Sequence, residues 1–194
     1  VVHRRGFAED VPGETEDDIR AIHDLCAEMA LVRSRMGQGP ANIRASVSWL
    51  VPKPHTPFQW AAQQRAEYFE EAGRILADCG RNRRLRAVQV KTHDVRRSIL
   101  EGILARGDRR LAPAIERAYR LGARYDGWDE HFRFDRWRQA FDETGVDPDW
   151  YAHRERASTE ILPWDHLRSG PMKDHLRRDY EDVFAKLERP IPTA

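Results

Sequence analysis

This sequence contains little of what usually identifies a function directly, beginning with cysteine. It has two cysteines, Cys26 and Cys79, in 194 residues. Two thiols cannot complete a zinc site by themselves, and an iron–sulfur cluster needs about three or four thiolates. Both cysteines lie in helix-like patterns, so we interpret them as small buried apolar side chains and expect no disulfide in a reducing cytoplasm.

Long apolar runs and a strong net charge are also missing. No apolar stretch approaches the length of a membrane span, and the first residues lack the core of a signal peptide. We therefore expect a cytoplasmic location and no membrane partner. The 33 basic and 32 acidic residues give a formal charge of +1. Such a balance provides no overall attraction to nucleic acid or anionic lipid, although it is compatible with local patches.

The sequence also lacks the short motifs of common enzymes. It contains no G-x-x-x-x-G-K-[ST], G-x-G-x-x-G, G-x-S-x-G or H-E-x-x-H. These motifs cradle phosphates, bind dinucleotides, present a nucleophilic serine or hold a catalytic zinc. Most familiar chemistries are therefore excluded as predictions from the sequence.

The patterns that are present predict an α+β, mostly helical fold. Residues 1–10 have no clean period, and we expect a disordered or atypical start. A turn at Pro12-Gly13-Glu14 leads to Thr15, a suitable N-cap with Asp18 three residues later. The helix that follows has an apolar face at 3.6-residue spacing, formed by Ile19, Ile22, Leu25, Cys26, Met29, Val32 and Met36.

The most informative stretch is Val47 to Trp60, V-S-W-L-V-P-K-P-H-T-P-F-Q-W. Its apolar start predicts a buried strand, from about Ile43. Its three prolines fix their own φ and extend the residue before each, which predicts a stiff, non-helical loop. A second helix is expected from Ala61 to about Asp78, and a second strand at 87–90.

The last half of the chain predicts helices. His93-Asp94 begins one helix, Asp108 caps the next, and a final helix is expected over 172–187. A high density of aromatic residues after Tyr125 is typical of a compact core on helices rather than of a base-stacking platform. Helix capping and surface ion pairs account for Asp126 to His131 and for Asp165-His166 better than catalysis does.

Three arginines, Arg106, Arg109 and Arg110, surround the Gly107 turn. Guanidinium forks bind carboxylates and phosphates well, so an anion or partner contact is one interpretation. The other is a solvated turn with local acidic partners, and residue chemistry alone favours the turn.

Several segments, in order, resemble the radical SAM superfamily. P-G-E-T-E-D-D-I (Pro12 to Ile19) resembles the G-L-P-G-E-T turn after an inner barrel strand, and P-K-P-H-T-P (Pro52 to Pro57) resembles the P-x-P-x-T-P loop after the last strand. Three further pieces, L-E-G-I-L-A-R-G-D-R-R-L, Y-D-G-W-D-E and L-P-W-D-H-L, are similar to an uncharacterised branch with an N-terminal B12-binding-like domain. The cluster-binding C-x-x-x-C-x-x-C is absent.

The resemblance implies a fold and a function for a longer parent enzyme. The parent would cleave S-adenosylmethionine reductively with a [4Fe–4S] cluster. Residues 11–92 would supply the closing βα elements of a partial (β/α) TIM-like barrel, and residues 93–190 a helical extension. The residues implied to contact S-adenosylmethionine or substrate are Glu14, Thr15, Val51, Lys53, His55 and Thr56. The missing N-terminal half of the barrel would be the partner, and this chain alone would hold no cofactor, cluster or radical activity.

Two other interpretations remain open. One is a helical module that binds RNA or a protein through Arg81 to Arg86 and Arg106 to Arg110. The other is a truncated, partly unfolded gene fragment. An incomplete barrel leaves strand edges unpaired, so self-association through the strand around Val47 is a further expectation.

Overall fold

A computed structural model describes residues 7–9, 13–39, 41–82, 88–167, 170 and 172–186. The chain divides into two compact units, which are described separately. The first comprises Val1–Leu50 and Gln64–Ser98, and the second comprises Val51–Gln63 and Ile99–Ala194. The prediction of a boundary at residue 92 therefore needs a correction, because the loop that begins at Val51 belongs to the second unit.

The first unit contains a three-stranded parallel sheet. Its elements alternate along the chain as β1 (Phe7–Glu9), α1 (Glu16–Arg35), β2 (Ile43–Trp49), α2 (Ala66–Asn82) and β3 (Val88–Thr92). The strand order is β1-β2-β3, so strands that are consecutive in sequence are neighbours in the sheet. Val47, at the centre, is opposite Phe7 on one side and Thr92 on the other.

The sheet corrects two expectations. Residues 1–10 are predicted to lack a strand, yet Phe7–Glu9 form β1, while residues 1–6 and 10 lie outside the described part of the chain. In addition, β2 is the central strand, so Val47 does not offer an unpaired edge. Among the described strands, the edges of the sheet are β1 and β3.

Helix α1 begins as the sequence predicts. The Thr15 amide donates to Asp18 Oδ2 at 2.8 Å, and the Asp18 amide donates back to Thr15 Oγ1 at 3.4 Å, which completes a capping box. The predicted apolar face is only partly buried. Ile19, Ile22 and Cys26 are buried, whereas four members of the face are exposed, namely Leu25, Met29, Val32 and Met36.

The core of the first unit lies on one face of β2, because the buried residues Ile43, Val47 and Trp49 are separated by even numbers of residues along the strand. Val47 and Trp49 are buried, and the Trp49 ring lies 5.0 Å from the ring of Phe69 on α2. Cys26 and Ile43 belong to a second buried cluster. Helix α2 starts at Ala66 rather than at Ala61 as expected.

The second unit is helical. Its helices are α3 (Val95–Ala105, from Ile99 onward), α4 (Ala112–Arg120), α5 (Phe134–Thr144), α6 (Pro148–Ala152) and α7 (Lys173–Lys186). Pro57–Trp60 form a 3-10 turn, which corrects the prediction of a wholly non-helical loop. Arg109–Leu111 form another, capped by Asp108.

Aromatic residues build much of the core of the second unit, as the sequence predicts, but several remain exposed. Trp137, Phe141 and Tyr151 lie in one cluster, and Trp60, Trp164 and Tyr180 lie in another. Tyr125 and Trp128 are exposed. Within the described residues, no helix combines the length and the apolar character needed to cross a membrane.

Candidate functional site

The carboxyl ends of the strands in the first unit hold a small group of polar side chains. Glu14 follows β1 and accepts a hydrogen bond from the Tyr68 hydroxyl on α2. His93 follows β3, and its carbonyl accepts from Trp49 Nε1 at 2.9 Å. Its ring Nε2 lies 3.5 Å from Ser48 Oγ. Ligands of parallel α/β proteins bind at this end of the strands, so this group is one candidate site.

The two residues that the resemblance assigns to this end differ in availability. The Thr15 hydroxyl donates to Asp18 Oδ2 at 2.7 Å and accepts from the Asp18 amide, so its role is to cap α1. Asp18, stabilised as an anion by these bonds, has a lowered pKa. The Glu14 carboxylate takes no part in this capping box but already accepts from the Tyr68 hydroxyl, so its assignment to a ligand stays a prediction.

In the second unit, the loop from Val51 is held by its own contacts. Pro52 is buried, and the Lys53 ammonium pairs with Glu101 on α3. The Thr56 hydroxyl donates to the Lys53 carbonyl at 2.7 Å. His55 adopts a left-handed backbone with φ of 57°, a conformation that is uncommon for residues other than glycine. The structure thus gives Lys53 and Thr56 intramolecular partners and leaves their assignment to a cofactor a prediction.

The end of this loop is anchored by buried polar groups. Gln59 Oε1 accepts from the His55 amide at 3.2 Å and from Trp164 Nε1 at 2.7 Å. Gln63 approaches Gly102 on α3 so closely that a Cβ at Gly102 would lie 1.9 Å from Gln63 Oε1. A side chain at Gly102 would therefore force the buried side chain of Gln63 to move.

A groove of about 830 Å³ opens in the second unit, beside the Gly107 turn. Its volume lies within the usual range of small-molecule sites. Polar or charged side chains and apolar side chains both line it. They include Asp108, Arg109, Arg110, Arg156, Glu160 and His166 together with Trp150, Ile161, Leu162 and Trp164.

Arg106 lies behind this groove and is completely buried. Its guanidinium donates to the Ala152 carbonyl at 2.7 Å and to the Arg154 carbonyl at 2.6 Å. Burial, followed by the nearby charges of Arg156 and Arg154, lowers the pKa of Arg106 to about 9. The interpretation of this residue as part of an exposed turn is therefore wrong, since Arg106 ties α3 to the segment after α6.

Arg156 is buried to 2% exposure, yet it lines the groove. Its guanidinium donates to the Arg106 carbonyl at 2.8 Å and stacks 5.2 Å from the centre of the Trp164 ring. Its Nε has no hydrogen-bond partner, and it forms no ion pair with any carboxylate in the described part of the chain. Burial, and next the charge of Arg154, lowers its pKa.

The rim of the groove contains arginines that already have partners. Arg110 forks onto the Asp108 carboxylate at 2.6 and 3.0 Å, and Arg154 forks onto Glu160 at 2.7 and 2.8 Å. Both guanidiniums also stack on Trp150, at 4.9 and 4.5 Å from the ring centre. Arg109, by contrast, is exposed and has no side-chain partner among the described residues.

The groove contains some residues that the sequence predicts as an anion contact and others that it does not. Arg109 and Arg110 line it and Arg106 supports it, but Arg156 and Trp150 were not predicted. Arg156 is 50 residues from Arg106, and no local pattern marks such a distant pair. Of the basic run Arg81 to Arg86, residues 83–87 lie outside the described part of the chain, and Arg81 pairs with Asp78.

An iron–sulfur cluster does not fit this chain. Its two cysteines are buried on α1 and α2, one or two thiolates short of what a cluster needs. No group of three or more potential metal ligands occurs among the residues that the structure describes. Comparisons with family models, curated proteins and solved structures find no match to this chain.

Proposed function

We propose that this chain is the C-terminal part of a radical SAM enzyme, in which it supplies closing βα units of a partial barrel and a helical extension. The observation that carries the proposal is the arrangement of the first unit. Three parallel strands lie in the order β1-β2-β3, with a helix after β1 and another after β2. In a (β/α) barrel, each strand is followed by a helix and lies beside the next strand in sequence.

The apolar surface of α1 supports the proposal. Leu25, Met29, Val32 and Met36 are exposed at i, i+4, i+7 and i+11, which is one stripe of a helix. On its other side, α1 packs against α2. A preceding βα unit of a barrel would cover such a stripe and would pair with β1, an edge strand in the described sheet.

The position of one resembling motif also supports it, since P-G-E-T follows β1 and leads into α1. P-K-P-H-T-P also follows a strand, but that strand is β2, and β3 comes after it. The cluster, which supplies the electron for reductive cleavage of S-adenosylmethionine when bound, would have to be held by residues outside this chain. Within the chain, Glu14 is the residue we propose to contact the cofactor, and Lys53 and His55 are proposed polar contacts to cofactor or substrate.

The coding sequence upstream of this chain provides the first test. We expect it to encode C-x-x-x-C-x-x-C within one barrel length, in the same reading frame or a shifted one. The longer protein, reconstituted anaerobically with iron and sulfide, should cleave S-adenosylmethionine when a reductant is added, as measured by methionine release. An upstream sequence without the three cysteines would contradict the proposal.

Variants then test the assigned residues in that longer protein. Glu14→Gln, Lys53→Ala and His55→Ala should slow methionine release, whereas Arg138→Ala, an exposed change in α5, should not. Equal rates for all four would refute the assignment of these residues. The 194-residue chain alone should develop no iron–sulfur absorbance under the same reconstitution.

A further inference from the structure

We infer that the groove of the second unit binds a small ligand that joins a doubly charged oxyanion, a phosphate monoester or a dicarboxylate, to an apolar or aromatic body. Arg156 and Arg109 are the residues that recognise the oxyanion. This inference does not rest on the proposed function, because it concerns different residues.

The balance of charges around the groove is the first reason to expect an anionic ligand. Five arginines lie in or directly behind the groove, namely Arg106, Arg109, Arg110, Arg154 and Arg156. Two of the nearby carboxylates are fully engaged, since Asp108 holds Arg110 and Glu160 holds Arg154. Arg109 and Arg156 form no ion pair with a carboxylate among the described residues, although the charges of Glu160 and Asp108 act on Arg156. The arginines around the groove therefore outnumber the carboxylates that pair with them, and an anionic ligand would balance the remaining positive charge.

The burial of Arg156 is the second reason. Burying a guanidinium is costly unless an anion and hydrogen bonds compensate it. Arg156 receives one carbonyl and one indole ring as partners, and its Nε receives none. Arg154, by comparison, has a carboxylate partner in Glu160, which Arg156 lacks.

The geometry of the surroundings indicates the shape of the ligand. The contact of Arg156 with the Trp164 ring and its bond to the Arg106 carbonyl restrict the orientation of its fork before a ligand arrives. Planar forks of this kind match phosphate and carboxylate oxygens. Ile161 and Leu167, exposed on the groove wall, provide an apolar surface for the rest of the ligand.

Two aromatic dianions and a neutral analogue test the inference on the whole 194-residue chain. In isothermal titration calorimetry, phenyl phosphate or phthalate should bind saturably, with Kd below about 1 mM, and benzyl alcohol should not. The stronger of the two anions identifies the oxyanion as a phosphate or a dicarboxylate. Affinity should fall as salt is raised, because the contact is ionic.

Matched variants locate the binding. Arg156→Gln should weaken binding by about tenfold or more, since a charge-assisted contact is lost. Arg109→Ala, an exposed change that leaves the core intact, should weaken it by roughly threefold to tenfold. Arg138→Ala removes the same charge elsewhere in the unit and should leave the affinity unchanged.

Three results would overturn the inference. The first is that neither dianion binds better than benzyl alcohol. The second is that Arg109→Ala, or a folded Arg156→Gln, binds as tightly as the unaltered chain. The third is that a single-stranded RNA binds in a salt-sensitive manner and neither dianion competes with it, which would instead favour a nucleic-acid interface.

Discussion

The two units differ in what they bury. In the first unit, the central contacts are apolar, since Val47, Trp49 and Phe69 are buried and the ring of Trp49 contacts the ring of Phe69. The buried polar residues there are a histidine and a serine, His23 and Ser98. The second unit buries two arginines and two glutamines, which are Arg106, Arg156, Gln59 and Gln63. The stability of the second unit therefore depends on hydrogen bonds to buried polar side chains as well as on apolar packing.

The first unit should therefore respond most strongly to loss of volume. Phe69 is fully buried against Trp49, so Phe69→Ala should lower the free energy of unfolding by about 3–5 kcal/mol. Hydrogen exchange should increase most in β2, α2 and β3. Met36→Ala, at the exposed residue that follows α1, should change the stability little. An equal effect of the two substitutions in urea unfolding would contradict the packing described here.

The second unit should respond to loss of hydrogen bonds as well as volume. Arg106→Ala removes the donors of two buried carbonyls, so we expect a loss of about 2–5 kcal/mol in urea unfolding. The substitution also removes a buried charge, which burial disfavours, as the pKa of about 9 for Arg106 reflects. This gain offsets part of the loss in stability.

A second substitution at this position separates the two contributions. Arg106→Met restores much of the volume but leaves the Ala152 and Arg154 carbonyls without their donor. It should lie between the unaltered chain and Arg106→Ala. If Arg106→Met were as stable as the unaltered chain, the hydrogen bonds to the two carbonyls would contribute nothing to stability. The two units would then differ only in their packing.

Local signals account for what could be predicted from the sequence. The capping box at Thr15 and Asp18, the cap at Asp108 and the start of α3 after Asp94 depend on residues three positions apart or fewer, which a sequence displays directly. The burial of Arg106 and Arg156 depends on partners about 50 residues away. No periodic pattern in the sequence indicates β1, because this three-residue strand exists through its pairing with β2. No periodic pattern indicates the groove either.

The cap of α1 offers a smaller and purely local test in the first unit. Thr15→Ala removes the hydroxyl that accepts from the Asp18 amide and should cost about 1 kcal/mol. Thr15→Ser keeps the hydroxyl and serves as the control. Because the lowered pKa of Asp18 depends on Thr15, stability should fall in the unaltered chain as pH drops through that pKa. In Thr15→Ala this dependence should be weaker, and an unchanged pH profile would show that the capping box has no energetic role.

The smallest effect is expected at Lys53, where structural and functional roles separate most clearly. Its ammonium pairs with Glu101, and both side chains are about half exposed. Exposed ion pairs contribute roughly 0–1 kcal/mol to stability. Lys53→Ala should therefore barely shift the midpoint of urea unfolding, and Glu101→Gln should shift it by a similar amount. In the proposed longer enzyme, however, Lys53→Ala should slow cleavage of S-adenosylmethionine while Glu101→Gln should not. Equal activity of the two variants would show that Lys53 contributes only its ion pair with Glu101 and does not contact cofactor or substrate.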